Sequence, residues 1–321
     1  MRPLLDLPLL KGDEPVSAFR AAAFARPWLG GMTVWCSASG AGFEAVSDIS
    51  EPATMGELSG ALFAGPTGRW DEINEIWVTL YGGNLSARAD LDALAGANAA
   101  AVLCDDGSRE VMQFAQAELV GTNAWRLSRL LRAQGGTEES MTAGASVGAA
   151  FVLLDTGLPL IDVGWDRLSL PLSWRVVPTD RAIDDDAATS LQFAVDGVAL
   201  RPFSPVHVRV RRETSGDVTL SWIRRTRLGG DGWEQVEVPL GEDAEAYELE
   251  ILASAGGTVL RTLSLTSPEA NYAAADQIAD FGVLPNEISL SLTQISAHVG
   301  RGSARRATVH VWYSETGPTP D

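Results

Sequence analysis

The stretches His207-Val-Arg-Val-Arg211 and Val218-Thr-Leu-Ser-Trp222 decide the fold class of the second half of the chain. Polar and apolar residues alternate along both of them. A period of two predicts β-strands that bury one face. The same alternation returns in the segments 236–240, 247–251, 259–265, 288–292 and 309–311. Glycine, aspartate and serine are frequent between these segments, as expected of the turns that join antiparallel strands.

About seven short strands within roughly a hundred residues are typical of an immunoglobulin-like β-sandwich. Trp222 lies on the second strand and shares its side with Val218 and Leu220, so we interpret it as a core residue between two sheets. Pro202 and Pro205 mark the boundary before the sandwich, because prolines stop strand pairing. The predicted organisation is a β-rich domain at 1–203, the sandwich at 204–313 and a flexible polar tail at 314–321.

The first half of the chain has weaker patterns. Strand candidates lie at 32–36, 76–81, 111–119, 124–127, 151–154, 174–177 and 193–200. A helix is predicted after Asp90, which would cap the alanine-rich stretch that ends at Ala101. A weaker helical turn is considered at 127–132. Strands and helices do not alternate, which argues against an α/β enzyme fold. The fold class predicted for the whole chain is therefore mainly β.

Composition narrows the classes of partner. The 321 residues carry a net charge of −18, and a surface this acidic disfavours nucleic acid and anionic membranes as partners. The apolar N-terminal segment is interrupted by Pro3, Asp6 and Pro8, so we predict neither a signal peptide nor a membrane span there. Cys36 and Cys104 lie in apolar stretches and are interpreted as buried core residues.

The sequence contains no recognisable motif for catalysis. There is no nucleophile elbow, phosphate loop or dinucleotide fingerprint, and the three histidines lie far apart on the predicted sandwich. We therefore predict no catalytic residue, no cofactor and no metal. Two alternatives stay open beside the simpler interpretation as solvated loop charge. The pairs Asp71-Glu72 and Asp105-Asp106 could serve a glycan hydrolase, and the run at 184–186, three aspartates, could bind calcium.

Two features could bind a partner. The arginine groups 209/211/212 and 224/225/227 lie on adjacent predicted strands, with Arg209 and Arg211 pointing outward. Such a patch on an acidic protein could contact an acidic neighbour, or it could pair locally with nearby glutamates. Trp233 follows a glycine-rich loop and could stack on a sugar ring if it is exposed. We interpret most of the other tryptophans as core residues.

Several long stretches resemble one known family. They include Ala64-Gly-Pro-Thr-Gly-Arg-Trp-Asp71 and Leu127-Ser-Arg-Leu-Leu-Arg-Ala-Gln-Gly-Gly-Thr-Glu138. Further matching stretches lie at 52–56, 114–121, 201–207, 220–227, 237–242 and 274–282. In this order they resemble the C-terminal part of the large tail-tip (baseplate) protein of gene transfer agents and related siphophages. The resemblance covers nearly the whole chain.

The resemblance implies a fibronectin type III-like sandwich after a β-rich tail-protein domain. It implies a structural component of a virion tail tip, made in the host cytoplasm, which contacts other tail proteins, forms rings or trimers and presents domains to the host. It implies no catalytic residues, and it assigns Arg132, Gln134 and Thr137 to hydrogen bonds that hold a loop. The runner-up function is a carbohydrate-binding module that contacts host surface glycans.

The chain departs from the family in three ways. Ala133 stands where the family's signature usually has glycine, and the long N-terminal part of the family's proteins is absent from this sequence. Ile288 stands where many fibronectin domains have a tyrosine at the start of their sixth strand. The likeness to ordinary fibronectin domains is therefore one of architecture.

Overall fold

The computed structural model describes residues 3–28, 30–230 and 239–313. The chain is mainly β, and it forms two compact units that meet in sequence between Ala199 and Leu200. None of the helices in the described ranges is long and apolar enough to cross a membrane.

The first unit holds thirteen of the strands and two short helices. The strands are β1 Leu4–Leu5, β2 Ala18–Ala21, β3 Met32–Ser37, β4 Glu44–Ile49, β5 Met55–Leu58, β6 Ile76–Leu80, β7 Ala99–Leu103, β8 Arg109–Gly121, β9 Ala124–Gln134, β10 Ala150–Leu153, β11 Leu160–Asp162, β12 Leu172–Pro178 and β13 Thr189–Phe193. The helices are α1 Asp90–Leu94 and α2 Glu138–Ala143. Single 3-10 turns follow at Trp165–Arg167 and at Val198–Leu200.

Six of these strands close into a barrel with the order β10-β5-β6-β9-β8-β7. Its interior is filled by apolar side chains such as Val78, Phe114, Leu127 and Phe151, all of them fully buried. The alternate residues of the same strands point out of the barrel. On one side of the barrel these outward residues, such as Met55, Ala101 and Val152, are buried as well. A second core there joins the barrel wall to the small sheet β1-β2-β11.

The opposite face of that small sheet packs on the sheet β13-β12-β3-β4. Phe19 and Trp174 meet edge to face in this core, with ring centroids 4.9 Å apart. Cys36 lies in the same cluster and Cys104 is buried near the barrel, and neither forms a disulfide. The interpretation of both cysteines as core residues is confirmed.

In its described residues, the second unit is a sandwich of two four-stranded sheets with one helix. Its strands are β14 Val206–Arg212, β15 Val218–Ile223, β16 Tyr247–Leu252, β17 Val259–Leu265, β18 Glu269–Tyr272, β19 Glu287–Ser296, β20 Gly300–His310 and β21 Trp312–Tyr313, and its helix is α3 Ala274–Phe281. One sheet has the order β18-β15-β14-β21 and the other β17-β16-β19-β20. This is an immunoglobulin-like, fibronectin type III-like sandwich, as the alternating pattern predicts.

Both sheets contribute alternate apolar residues to one core between them. Val218, Leu220 and Trp222 of β15 face Leu249, Leu290 and Leu292 of the opposite sheet in one cluster. Trp222 is buried and meets Tyr247 edge to face, at 5.2 Å between centroids. The prediction that Trp222 fills the core is confirmed.

Four predictions for local structure differ from the structure. The alanine-rich stretch is helical only to Leu94, and its second half is strand β7. Residues 127–132 belong to strand β9 and form no helical turn, and β13 ends at Phe193, so the strand predicted at 193–200 is wrong. Asp90 is the first helical residue, and the cap position is Ala89. The strand predicted at 236–240 lies mostly outside the described residues.

Candidate binding site on the sandwich

The outer face of the sheet β18-β15-β14-β21 carries the predicted arginine pair. Val210 of β14 is buried in the sandwich core, and Val208 packs against that core. Because side chains alternate along a strand, Arg209 and Arg211 project from the other face, where both are exposed. The predicted orientation of these two arginines therefore agrees with the structure.

Strand register places four more side chains beside the two arginines. Arg209 pairs with Ser221 on β15, and Ser221 pairs with Glu269 on β18. Arg211 pairs with Thr219 of β15 on one side and with Trp312 of β21 on the other. Paired residues of neighbouring strands point to the same face. Two short rows of polar side chains therefore cross the sheet, and one row ends at an indole ring.

These side chains line an open groove with a volume of about 740 Å³. This lies within the usual range of ligand sites, roughly 300–1,000 Å³. Trp312 is 71% exposed at one edge of the groove. His310 lies beside it, with ring centroids 6.4 Å apart. Sequence reasoning did not single out Trp312, since a strand of two residues that pairs in parallel at the end of the chain leaves no periodic pattern.

The charges of the groove are unevenly paired. Arg211 forms an ion pair of 2.6 Å with Glu213, and both partners are solvent-exposed. The Nδ1 atom of His310 lies 3.1 Å from Glu287. Within the described ranges Arg209 forms no ion pair, and the hydroxyl groups of Thr219 and Ser221 have no hydrogen-bond partner. Glu269, which also lines the groove, forms no ion pair within the described residues either. The groove therefore presents one unpaired guanidinium, one unpaired carboxylate and two hydroxyl groups to solvent.

The remaining arginines of the predicted patch lie elsewhere. Arg212 faces inward, where it donates to the carbonyl oxygens of Gly216 (2.8 Å) and Pro285 (2.6 Å) and to Gln277 (3.0 Å). Strand β15 ends at Ile223, so residues 224, 225 and 227 are not on a strand, and that part of the prediction is wrong. Arg227 forms a buried ion pair of 3.2 Å with Glu242. Trp233 lies outside the described residues.

The first acidic candidate, Asp71, belongs to a buried network in the barrel unit. Arg132 of β9 contacts Asp71 at 3.2 Å and binds both carboxylate oxygens of Glu110, at 2.7 and 2.9 Å. The side chains of Arg132 and Asp71 are fully buried. Arg132 also donates to the carbonyl oxygen of Phe63 (3.0 Å). Arg132 thus holds two strands and a loop together, whereas the resemblance assigns it to a loop.

Protonation of Asp71 is opposed by its surroundings. Burial favours the neutral acid, but hydrogen bonds from Asn74 and from the N–H of Ile73, with the nearby Arg132 guanidinium, hold the pKa of Asp71 below its ordinary value. Burial likewise disfavours charge on Arg132, yet Glu110 and Asp71 raise the pKa of its guanidinium. Asp71 and Arg132 therefore stabilise each other's charged forms, and with Glu110 they form a structural ion triplet.

The other acidic candidates hold loops. Glu72 pairs with Arg129. Asp105 accepts hydrogen bonds from the N–H and hydroxyl of Ser146, both 2.8 Å, and Asp106 accepts one from the N–H of Ser108 (2.9 Å). In the run at 184–186, Asp185 accepts the N–H of Ala187 at 2.8 Å. The described part of the chain contains no group of three His, Cys, Asp or Glu side chains able to hold a metal ion.

The stretches 64–71 and 127–138 of the family resemblance meet at the ion triplet. Asp71 ends the first stretch and Arg132 lies in the second. The Arg129 guanidinium stacks over Trp70 at 4.8 Å from the ring centroid. A Cβ atom on Gly65 would lie 2.9 Å from Nη1 of Arg132, so only glycine leaves room for the pair.

The end of the second stretch is fixed by Thr137. The hydroxyl of Thr137 accepts the N–H of Val111 (3.1 Å) and donates to the carbonyl oxygen of Gln134 (2.9 Å). The side chain of Gln134 donates to the carbonyl oxygen of Arg132 (2.9 Å). For Gln134 and Thr137, the hydrogen bonds implied by the resemblance are present in the structure.

A family model described as "Rcc01698-like, C-terminal" matches residues 53–152. The match covers about a third of the chain and coincides with the six barrel strands, β5 to β10. No curated protein matches the chain.

Among solved structures, the chain is similar to the fifth fibronectin domain of Drosophila Lar, with 16% identity over 35% of this chain and 97% of that one and a TM-score of 0.22. It is also similar to the chicken CNTN1 FN1–FN3 domains, with 8% identity over 97% of this chain and 98% of that one and a TM-score of 0.24. It is similar as well to titin domains A168–A170, with 11% identity over 92% of this chain and 74% of that one and a TM-score of 0.25. Likenesses this weak carry no functional argument.

Proposed function

We propose that the chain is a structural component of a viral or gene-transfer-agent tail tip, with roles in assembly and in host-facing attachment. One observation carries this proposal. Stretches 64–71 and 127–138, which resemble the tail-tip family in sequence, converge on the Asp71–Arg132–Glu110 triplet. The residues that carry the resemblance are thus structural ones in a barrel, which fits a protein that acts by its shape.

The distribution of polar groups supports a structural role. The candidate acids of a hydrolase are engaged in ion pairs or loop hydrogen bonds, and Asp71 is fully buried. A general acid must reach the bond that it protonates. Asp71 is therefore unsuited to attack on a large glycan, and we favour assembly over hydrolysis.

Partners follow from the same proposal. Tail components encircle an axis, so a ring or a trimer of this chain in contact with other tail proteins is the expected assembly. The net charge of −18 suits a particle that must stay dispersed in solution.

Quantitative mass spectrometry of purified particles tests the proposal. Peptides of this chain should be present at a low copy number that fits a ring, such as about three per particle, when measured against the tail tube protein. Particles that lack the chain, while the free protein is present in the lysate, would contradict it. Peptides encoded upstream of Met1 would show that the chain is part of a larger tail protein.

A further inference from the structure

We propose that the groove on the outer face of the β18-β15-β14-β21 sheet binds a carboxylated sugar unit of an acidic glycan. The inference deepens the host-facing part of the proposed function and rests on it for its biological setting. It names the chemistry of the ligand: a pyranose ring with a carboxylate, as in uronic acids.

The first argument is the indole of Trp312. It is the most exposed tryptophan side chain among the described residues, at 71%. Strand pairing fixes it beside Arg211, on the polar face of the sheet and away from the core. The C–H faces of a sugar ring stack on flat aromatic rings, which bury apolar area while the hydroxyl groups remain free to hydrogen bond. Trp312 therefore offers a stacking surface at the edge of a polar groove.

The second argument is the set of polar groups within reach of that ring. Neighbouring strands lie about 4.8 Å apart, and side chains two residues apart on one face are separated by about 6.7 Å. Arg209, Ser221, Thr219 and Arg211 thus surround an area about the size of one sugar unit. The two hydroxyl groups have no hydrogen-bond partner among the described residues and can both donate and accept.

The third argument is charge. Arg209 has no ion pair within the described residues, although the chain carries a net charge of −18. A guanidinium group binds a carboxylate through two parallel hydrogen bonds, which neutral sugars cannot reproduce. The unpaired cation therefore favours a sugar carboxylate at the Arg209 end of the groove. Glu269, at the other end of the same row of side chains, can accept hydrogen bonds from sugar hydroxyl groups.

An acidic peptide is the competing ligand. Peptide and protein interfaces have an apolar centre inside a polar rim. Six of the residues that line the groove are polar, and Trp312 is joined only by Val208, Val210 and Val309, which also pack in or against the sandwich core. Strand β14 is paired on both sides, so a peptide cannot add to it as a further strand. This lining matches the many hydroxyl groups of a glycan better than it matches a peptide.

Calorimetric titration of the full chain with tetragalacturonic acid tests the proposal. The methyl ester of the same tetramer is the neutral comparison, and hexaglutamate is the acidic peptide comparison. We expect the acid to bind at least about ten-fold more tightly than its ester at low salt. Trp312→Ala should weaken binding of the acid and of the ester by about five-fold or more. Arg209→Gln should abolish the preference for the acid.

Matched variants are Trp165→Ala and Arg181→Gln, which replace exposed residues of the other unit and should leave binding unchanged. Circular dichroism checks that all four variants keep the wild-type fold. Binding of hexaglutamate as tight as that of the tetramer, or equal binding of acid and ester, would overturn the proposal. So would no heat at 10 mM sugar, a concentration on the order of the weakest specific sites. None of these results would alter the copy number found in particles, so the tail-tip proposal is tested separately.

Discussion

At the scale of single residues, Arg132 lies at the centre of a buried ion triplet in the barrel unit. Its guanidinium is fully buried and is matched by two carboxylates and a carbonyl oxygen. A buried ion pair is weak evidence for stability when it is compared with apolar packing. The removal of one partner is different, because it leaves the other charges buried without compensation.

We expect Arg132→Met to lower the free energy of unfolding by about 3–5 kcal/mol, because Asp71 and Glu110 would stay buried without their cation. Urea denaturation measures the change. Arg126→Met is the matched control: Arg126 lies on the same strand, but its ion pairs with Glu75 and Glu118 are exposed. Its effect should be much smaller. Equal losses in the two variants would show that the triplet contributes nothing beyond a surface pair.

Ala133 shows a second effect at this scale. Val111 pairs with Gln134 and Gln113 with Leu131, so β9 has two residues opposite Met112 and forms a bulge. Ala133 occupies this bulge with a φ of 54°. A residue with a Cβ atom is strained in that region, and glycine is not. The bulge explains why the family signature has glycine at this place.

Ala133→Gly should therefore raise the free energy of unfolding by about 0.5–1 kcal/mol. Ala117→Gly on β8, where the backbone has no positive φ, should lower it by a similar amount, because glycine is more flexible in the unfolded chain. Thermal denaturation of both variants compares the signs. A loss of stability in both would mean that the bulge stores no strain.

The sequence identified some of these residues but not their roles. The resemblance pointed to Arg132, yet the partners Asp71 and Glu110 lie 61 and 22 residues away in the chain. No local pattern links charges at such separations. Their pairing depends on strand pairing within the sheet: β9 pairs with β8 on one side and with β6 on the other, which brings β8, β9 and the loop before β6 together.

At the scale of elements, helix α3 shows how a distant loop can cap a helix. Its cap residue, Ala273, has no polar side chain. The turn between β14 and β15 supplies Asp217 instead, whose Oδ1 atom accepts the N–H of Ala274 at 2.8 Å. That hydrogen bond, with one from Ser215, holds the pKa of Asp217 below its ordinary value of 3.8.

The direction of this pKa shift predicts a pH dependence. A carboxylate whose pKa is lower in the folded state stabilises the fold above pH 3.8, and the contribution is lost as the pH falls through the folded pKa. Asp217→Asn retains a side-chain oxygen but cannot ionise. We expect the difference in unfolding temperature between the wild type and Asp217→Asn to be largest near pH 7 and to shrink below pH 3.8. A difference that is constant from pH 3 to pH 7 would contradict the assignment.

The wrong predictions for β7 and β9 have a common cause: neither strand shows a regular alternation of apolar and polar residues. Strand β7 is buried on both faces, in the barrel interior at Ala100 and Val102 and against the small sheet at Ala101. A strand buried on both faces has no alternation, and a run of alanines then resembles a helix. In β9, Leu127, Leu130 and Leu131 have helical spacing, but the positive φ of Arg129 and the bulge at Ala133 produce it within a strand. Most sandwich strands have one solvent-exposed face, and most of them were predicted. Strand β19 is buried on both faces, but its sequence still alternates between apolar residues and serine or threonine.

At the scale of the whole molecule, the mainly β class followed from the sequence, but the closed barrel did not. Closure depends on pairing between β7 and β10, whose residues lie about fifty positions apart. The sequence predicted part of the groove on the sandwich. Alternation predicted that Arg209 and Arg211 share the outer face, while Trp312 reaches that face only because the chain crosses from β20 in one sheet to β21 in the other.

The last prediction concerns the cooperativity of unfolding of the two units. Three apolar clusters lie wholly within the first unit and one lies wholly within the second. A unit with its own core is able to unfold as its own cooperative step. We expect two calorimetric transitions for the full chain, with Arg132→Met shifting one of them and Leu290→Ala, in the sandwich core, shifting the other. Leu290→Ala should cost about 2–5 kcal/mol, since it leaves a cavity between the two sheets. If one transition is found, and both variants move it, the two units unfold together, and a variant in the barrel would then also weaken the sandwich that carries the groove.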